Sequence, residues 1–216
     1  MKNILAIGAH PDDVEFGCFG TLKRHINEGD RVIICLMSNS TVKDASTGDF
    51  TRTEKESISE AQCSAHRIGA ELVMLNYQDT EIPFNSDSVS KLEKLIVDKQ
   101  IDIIYTHWGG DTHQDHINTL NTTLAASRMI NNVLCYEQVP LPRVCINYPV
   151  ANYYVDITNV IEDKIDACKC HESQIEKYKS MNIDIVDNLK TLAKFRGTQS
   201  NVKYAEAFNI LKLVKI

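Results

Sequence analysis

No stretch of the 216-residue chain approaches the roughly 18 consecutive apolar residues that a membrane-spanning helix requires. The opening segment, Met1-Lys2-Asn3-Ile4-Leu5-Ala6-Ile7, is too short and too soon followed by charge to read as a secretory signal. No membrane span is expected, and the expected location is the cytoplasm. Positive charge is also in short supply: 23 basic against 29 acidic residues leave a formal charge of −6. That balance offers no broad attraction to phosphate backbones or anionic lipid, so nucleic acid is not an expected partner. The seven cysteines include no C-x-x-C pair, which removes a zinc ribbon, and their odd number and scatter argue against a disulfide framework. All seven are expected to be packing thiols, and Cys168 and Cys170, two apart on a predicted helix, face different ways. With 43% hydrophobic and 24% charged residues the composition is that of an ordinary globular chain, and the length suits a single domain over residues 1–216.

What is present is an alternation of short apolar runs with longer amphipathic ones. Ile4 to Gly8 reads as a buried strand, Val14 to Gly29 as a helix with Phe16, Phe19, Leu22 and Ile26 at helical spacing, and Arg31 to Met37 as a second strand. A polar loop, Ser38 to Thr53, precedes a helix from Glu54 to Ile68 that Gly69 ends. A strand over Glu71 to Leu75, a helix over Ser88 to Lys99 and a strand over Ile101 to Thr106 continue the pattern. Repeated strand, helix, strand with short connections predicts a doubly wound, mostly parallel α/β sheet, Rossmann-like, with helices on both faces. Further on, helices are predicted over His116 to Ile130, Val160 to about Met181 and Val186 to Phe195. Strands are predicted over Val133 to Glu137 and Tyr153 to Val155. Pro140, Pro142 and Pro149 mark an irregular loop, which with Tyr148, Tyr153 and Tyr154 could serve an interface between copies.

In doubly wound sheets ligands sit beyond the carboxyl ends of the strands. Two segments lie there: Gly8-Ala9-His10-Pro11-Asp12-Asp13-Val14-Glu15 after the first strand and Gly109-Gly110-Asp111-Thr112-His113-Gln114-Asp115-His116 after the fourth. Imidazole and carboxylate without thiolate suit zinc, and a catalytic zinc site takes three protein ligands and leaves a place for water. His10 and Asp13, three apart across a turn set by Pro11, can face one ion while Asp12 stays free to take a proton from water, whose pKa zinc lowers to about 7. His113 and His116 are also three apart, so one can bind metal while the other faces substrate. Capping of the following helix by Asp12 or Asp13 would need one acid and not this density of ligand types. A dinucleotide fingerprint built on Gly8, Gly17 and Gly20 lacks the G-x-G-x-x-G spacing and would set two negative charges against a pyrophosphate. A G-x-S-x-G elbow and the P-C-x-x-C half of the zinc deaminases are likewise missing.

Ala9-His10-Pro11-Asp12-Asp13-Val14-Glu15 and His113-Gln114-Asp115-His116 resemble the two marker motifs of the zinc-dependent PIG-L/LmbE-like de-N-acetylases. Tyr154 to Thr158, Lys164 to Gln174 and Tyr204 to Phe208 also look like patterns of that family, so the resemblance spans most of the chain. It implies zinc ligands at His10, Asp13 and His116, one ion per chain with another divalent metal as substitute. It further implies a general base at Asp12, an oxyanion-stabilising or proton-donating imidazole at His113, and Asp115 orienting His113. The choice of His116 over His113 as ligand rests on the resemblance. Where the family often carries a Gly-Glu-x-Gly loop, this chain has Met37-Ser38-Asn39-Ser40-Thr41-Val42-Lys43, with Arg52 and Glu56 or Glu60 as loose counterparts. Arg52 and Asp111 are the expected substrate contacts. The implied reaction is hydrolysis of an acetamide, and the implied partner is a small molecule bearing an N-acetylated amino sugar. Hydrolysis of another small amide, or a catalytically silent binding module, are the alternatives; the second is disfavoured because ligands and base are all present.

Overall fold

The computed structural model describes residues 1–43, 50–139, 147 and 150–214. Pro140, Pro142, Tyr148 and Pro149, and residues 44–49 of the Ser38 to Thr53 loop, lie outside the described residues. The chain begins in the middle of a seven-stranded sheet. β1 (Asn3–Gly8) pairs in parallel with β2 (Arg31–Ser38) on one side and β6 (Ile103–His107) on the other. β5 (Glu71–Tyr77) lies outside β2, and β7 (Asn132–Tyr136) outside β6, again in parallel. The strand order therefore reverses between β1 and β6, and a crevice opens beyond their carboxyl ends. A separate two-stranded piece pairs β3 (Val42–Lys43) with β4 (Phe50–Arg52).

Both faces of β1 are buried, as a parallel strand between two helical layers requires. Ile4 and Ala6 point into one core, with Val14, Cys18, Phe19 and Leu22 of α1 (Asp13–Asn27) and Ala61, Ala65 and Ile68 of α2 (Glu54–Ile68). Leu5 and Ile7 point into the other, with Leu92 and Ile96 of α3 (Ser86–Asp98) and with Ala126, the last residue of α4 (Gln114–Ala126). Thr53 and Glu56 start α2 with a reciprocal capping box, and Gly69 ends it at φ 73°. Gly17 belongs to packing: a Cβ there would come within 2.3 Å of the Tyr136 ring, whose hydroxyl donates to the Ile7 carbonyl.

The structure corrects two expectations and adds one strand. The helix predicted over Val160 to Met181 is broken: after a 3-10 turn, Thr158–Val160, come α5 (Ile161–Cys168) and α6 (Glu172–Ser180), and the break between them turns His171 fully inward. A strand that periodicity did not reveal, β9 (Ala205–Leu213), runs antiparallel to both β7 and β8 (Tyr153–Asp156), so the sheet is mixed at that edge. Its Glu206 accepts from the backbone N–H groups of Gly20 and Thr21, while Lys164 donates to Glu206 and to the Phe16 carbonyl, so a buried ion pair is stitched into the middle of α1. Finally, Cys63 on α2 and Cys170 beyond α5 form a disulfide across 107 residues. Neither is the free packing thiol expected, because the pairing depends on α2 lying against the α5–α6 turn. The last helix is α7 (Ile185–Ser200), and among the described residues no helix is long and apolar enough to cross a membrane.

Candidate active site

The turn that leaves β1 closes on itself. The His10 N–H donates to Asp13 Oδ2 at 2.7 Å, and the Asp13 N–H to the His10 carbonyl at 3.3 Å. Gln138, just past β7, donates to Asp13 Oδ1 at 2.7 Å and fixes the carboxylate from the other side. Asp13 then faces three imidazoles: His107 Nε2 is 3.2 Å and His10 Nδ1 3.5 Å from its Oδ2, and His116 Nε2 is 3.5 Å from its Oδ1.

Each imidazole is held from behind. His10 Nε2 meets Asp115 Oδ2 and Asp79 Oδ1, both at 2.9 Å, and His116 Nδ1 meets Asp111 Oδ2 at 2.6 Å. A carboxylate on the far nitrogen fixes the tautomer and leaves the near nitrogen's lone pair free, which is how metal-binding histidines are oriented. His10, Asp13 and His116 each offer a ligand atom within 4.8 Å of the others. The donor set and its outer carboxylates therefore fit zinc, with nitrogen and oxygen donors and no thiolate. A second set, His10, His113 and Asp115, shares His10 with the first, and a third, His25, Glu28 and Asp30, lies at the amino end of the sheet, where His25 already hydrogen-bonds Asp30 and the Tyr105 hydroxyl.

Asp12 stands at the N-cap position of α1 but makes no capping hydrogen bond, and among the described residues its carboxylate has no hydrogen-bond partner. Its backbone sits at φ 137°, a conformation that non-glycine residues rarely adopt. Burial, and then the neighbouring Asp13 charge, push its carboxyl up to about 6. This is the setting of a proton acceptor near neutral pH. His113 caps α4: its Nδ1 accepts the Asp115 N–H at 3.2 Å, so in the neutral ring the proton sits on Nε2. Burial, then the nearby His116, lower its pKa, and the ring stacks on His116 with centroids 4.5 Å apart.

Three expected roles meet a different geometry. The Asp115 carboxylate is wholly buried on His10 and on the N–H groups of Thr80 and Ile82, while its own N–H, not its carboxylate, meets His113. Asp111 is turned onto His116 and onto the Thr112 and His113 N–H groups, so its acceptors are spent inside the loop. Arg52 is 1% exposed, with its guanidinium on the Pro11 carbonyl and on Glu60 rather than at the surface.

Periodicity and motif spacing overlooked Asp79, Gln138 and His107. Their signal is positional, since each lies at or just beyond the carboxyl end of a strand. His107 accepts the Ala9 N–H through Nε2 at 2.9 Å and stacks on His116 at 4.2 Å. Burial, then His116, take its pKa down to about 4, so it is neutral at neutral pH.

Residues 5–127 match the family model of PIG-L, described as GlcNAc-PI de-N-acetylase. The chain is 33% identical over 142 residues to an Escherichia coli K12 protein described as the uncharacterized deacetylase YaiS, covering 63% of this chain and 74% of that one. Among solved structures it superposes on N,N'-diacetylchitobiose deacetylase from Pyrococcus horikoshii with a TM-score of 0.77 at 26% identity, covering 98% of this chain and 84% of the other. It also superposes on GalB, the 4-carboxy-2-hydroxymuconate hydratase of Pseudomonas putida KT2440, with a TM-score of 0.83 at 19% identity, covering 100% and 98%. That likeness is one of fold.

Proposed function

The chain belongs to the PIG-L family of GlcNAc-PI de-N-acetylases, and from that premise we propose that it is a zinc-dependent hydrolase that removes the acetyl group from an N-acetylated amino sugar or small sugar conjugate. Its relatives include deacetylases, one of them named for diacetylchitobiose. The observation that carries the reading is the convergence of His10, Asp13 and His116, two of them oriented by carboxylates, beside Asp12, whose carboxylate makes no hydrogen bond among the described residues.

Zinc held by His10, Asp13 and His116 would supply Lewis acidity, easing both deprotonation of water and attack on the acetamide carbonyl. Asp12 takes the proton of the attacking water through its carboxylate. His113, neutral and protonated at Nε2, donates a hydrogen bond to the carbonyl oxygen as negative charge develops there. The amine leaves only when protonated, and Asp12, now carrying the proton, returns it.

The test is acetate release by zinc-loaded protein from N-acetylglucosamine, N,N'-diacetylchitobiose and a nucleotide-linked N-acetyl sugar, with an N-acetyl amino acid as control. Release from at least one sugar, lost on chelation and restored by zinc, is expected. Release from the amino acid alone would make it a hydrolase of another amide. Hydration of an unsaturated acid with no acetate from any substrate would overturn deacetylation.

A further inference from the structure

The backbone of Asp12 is held from both sides. Its own carbonyl accepts the Phe16 N–H at 2.9 Å, the first hydrogen bond of α1, which fixes the peptide plane that follows. The plane that precedes it contains the Pro11 carbonyl, which accepts from both terminal nitrogens of Arg52, Nη1 at 3.2 Å and Nη2 at 3.1 Å. Rotation about the Asp12 N–Cα bond is set by those two planes, and the result is φ 137° with ψ −25°. Conformations of this kind are sparsely populated and persist only where the surroundings over-determine them.

Arg52 is itself braced. Nη2 pairs with Glu60 Oε2 at 2.7 Å, and Glu60 also accepts the N–H and hydroxyl of Ser173 at 2.8 Å each, so α2 and α6 meet on its carboxylate. His171 Nδ1 closes the layer 3.5 Å from Nη2. A guanidinium at 1% exposure is costly to desolvate, and among the described residues Nε has no partner. An apolar side chain could fill the same space, but it could not grip a carbonyl with two donors.

We propose that Arg52 is a positioning residue for the deacetylation reaction: its two terminal nitrogens clamp the Pro11 carbonyl and hold Asp12 in the backbone conformation from which its carboxylate acts. This rests on the function proposed above. It replaces the role of substrate contact, since Arg52 is 1% exposed and its terminal nitrogens lie on Pro11 and Glu60. Lysine at the same place is a point charge that can reach Pro11 or Glu60 but cannot fork between them.

The test uses full-length R52K and R52M, with E60Q as a milder variant that keeps the fork and removes only its brace. Zinc affinity, measured by chelator competition, should stay within about three-fold of wild type, because the three ligands and their carboxylates are untouched. On whichever N-acetyl sugar the wild type cleaves, kcat should fall by on the order of 10²-fold in R52M, the effect of a roughly 1 Å displacement of a catalytic group, with KM nearly unchanged. E60Q should fall in between. A crystal structure of R52K should show the Pro11 peptide turned and Asp12 relaxed from φ 137°; this arm needs no substrate. A raised KM with unchanged kcat would restore the substrate contact, and an unmoved Asp12 in R52K would overturn the clamp. Absence of zinc binding or acetate release in the wild type would instead sink the proposed function, leaving the structural arm to decide the clamp.

Discussion

Asp115 Oδ2 lies 2.9 Å from His10 Nε2 across 105 residues of sequence, and this contact leaves Nδ1 of His10 to face Asp13. Since loss of an outer carboxylate typically weakens metal binding 10- to 100-fold, Asp115→Asn should lower zinc affinity by about that factor. Chelator competition measures it. Unchanged affinity together with a lower kcat would return Asp115 to His113.

Asp12→Asn is expected to keep its zinc and lose most of its activity. Removal of a general base commonly costs about 10² to 10⁴ in rate, which is roughly 3–5 kcal/mol of barrier. Asp13→Ala should instead lose the metal. Metal content and acetate release measured on the same samples separate the two, and equal metal loss in both variants would refute the division of labour.

The stability of the metal-free protein should peak in a window set by Glu15 and His171, whose Oε1 and Nε2 are 3.5 Å apart. Burial opposes both charges, but His171 pulls Glu15 below its ordinary 4.5, and Glu15 lifts His171 above its ordinary 6.5. A depressed carboxylate stabilises above its ordinary pKa, and that contribution is lost as pH falls through the lowered value. A raised imidazole stabilises below its ordinary pKa, and that contribution is lost as pH rises through the raised value. The pair therefore contributes fully between 4.5 and 6.5. Urea denaturation across this range should show the peak in wild type and a flatter profile in Glu15→Gln. Parallel profiles would mean that the pair does not govern it.

Cys63→Ser should destabilise the oxidised protein by about 2–4 kcal/mol, the usual effect of losing a disulfide that closes a long loop. Under reducing conditions the variant and the wild type should melt together. Thiol titration of unfolded, unreduced protein offers a direct check: all seven cysteines reacting would show that the Cys63–Cys170 bond does not form.

Much of the sheet was legible because its signals are local. Ile4 to Gly8 and Arg31 to Met37 are continuous apolar runs, and Phe19 and Leu22 recur at helical spacing, so the parallel core and its two helical layers follow from side-chain periodicity. β9 escaped because Glu206 and its neighbours do not alternate cleanly. Glu206 is buried through an ion pair with Lys164, and burial of that kind leaves no mark in hydrophobic pattern.

The sequence by itself determined which groups could do chemistry: His10, Asp12, Asp13, His113, Asp115 and His116 sit in two compact motifs whose spacing and neighbours can be read along the chain. Only the tertiary structure decided which group faces which. Asp115 serves His10, Asp111 serves His116, Arg52 holds Pro11, and Cys63 meets Cys170. Most of these partners lie tens of residues or more apart, and even Asp111, five residues before His116 in the loop that leads into α4, is placed by the path of the backbone. Hydrogen bonds and disulfides depend on distance and direction in space, and a residue's type records that it can make such a bond but not the partner that folding brings to it.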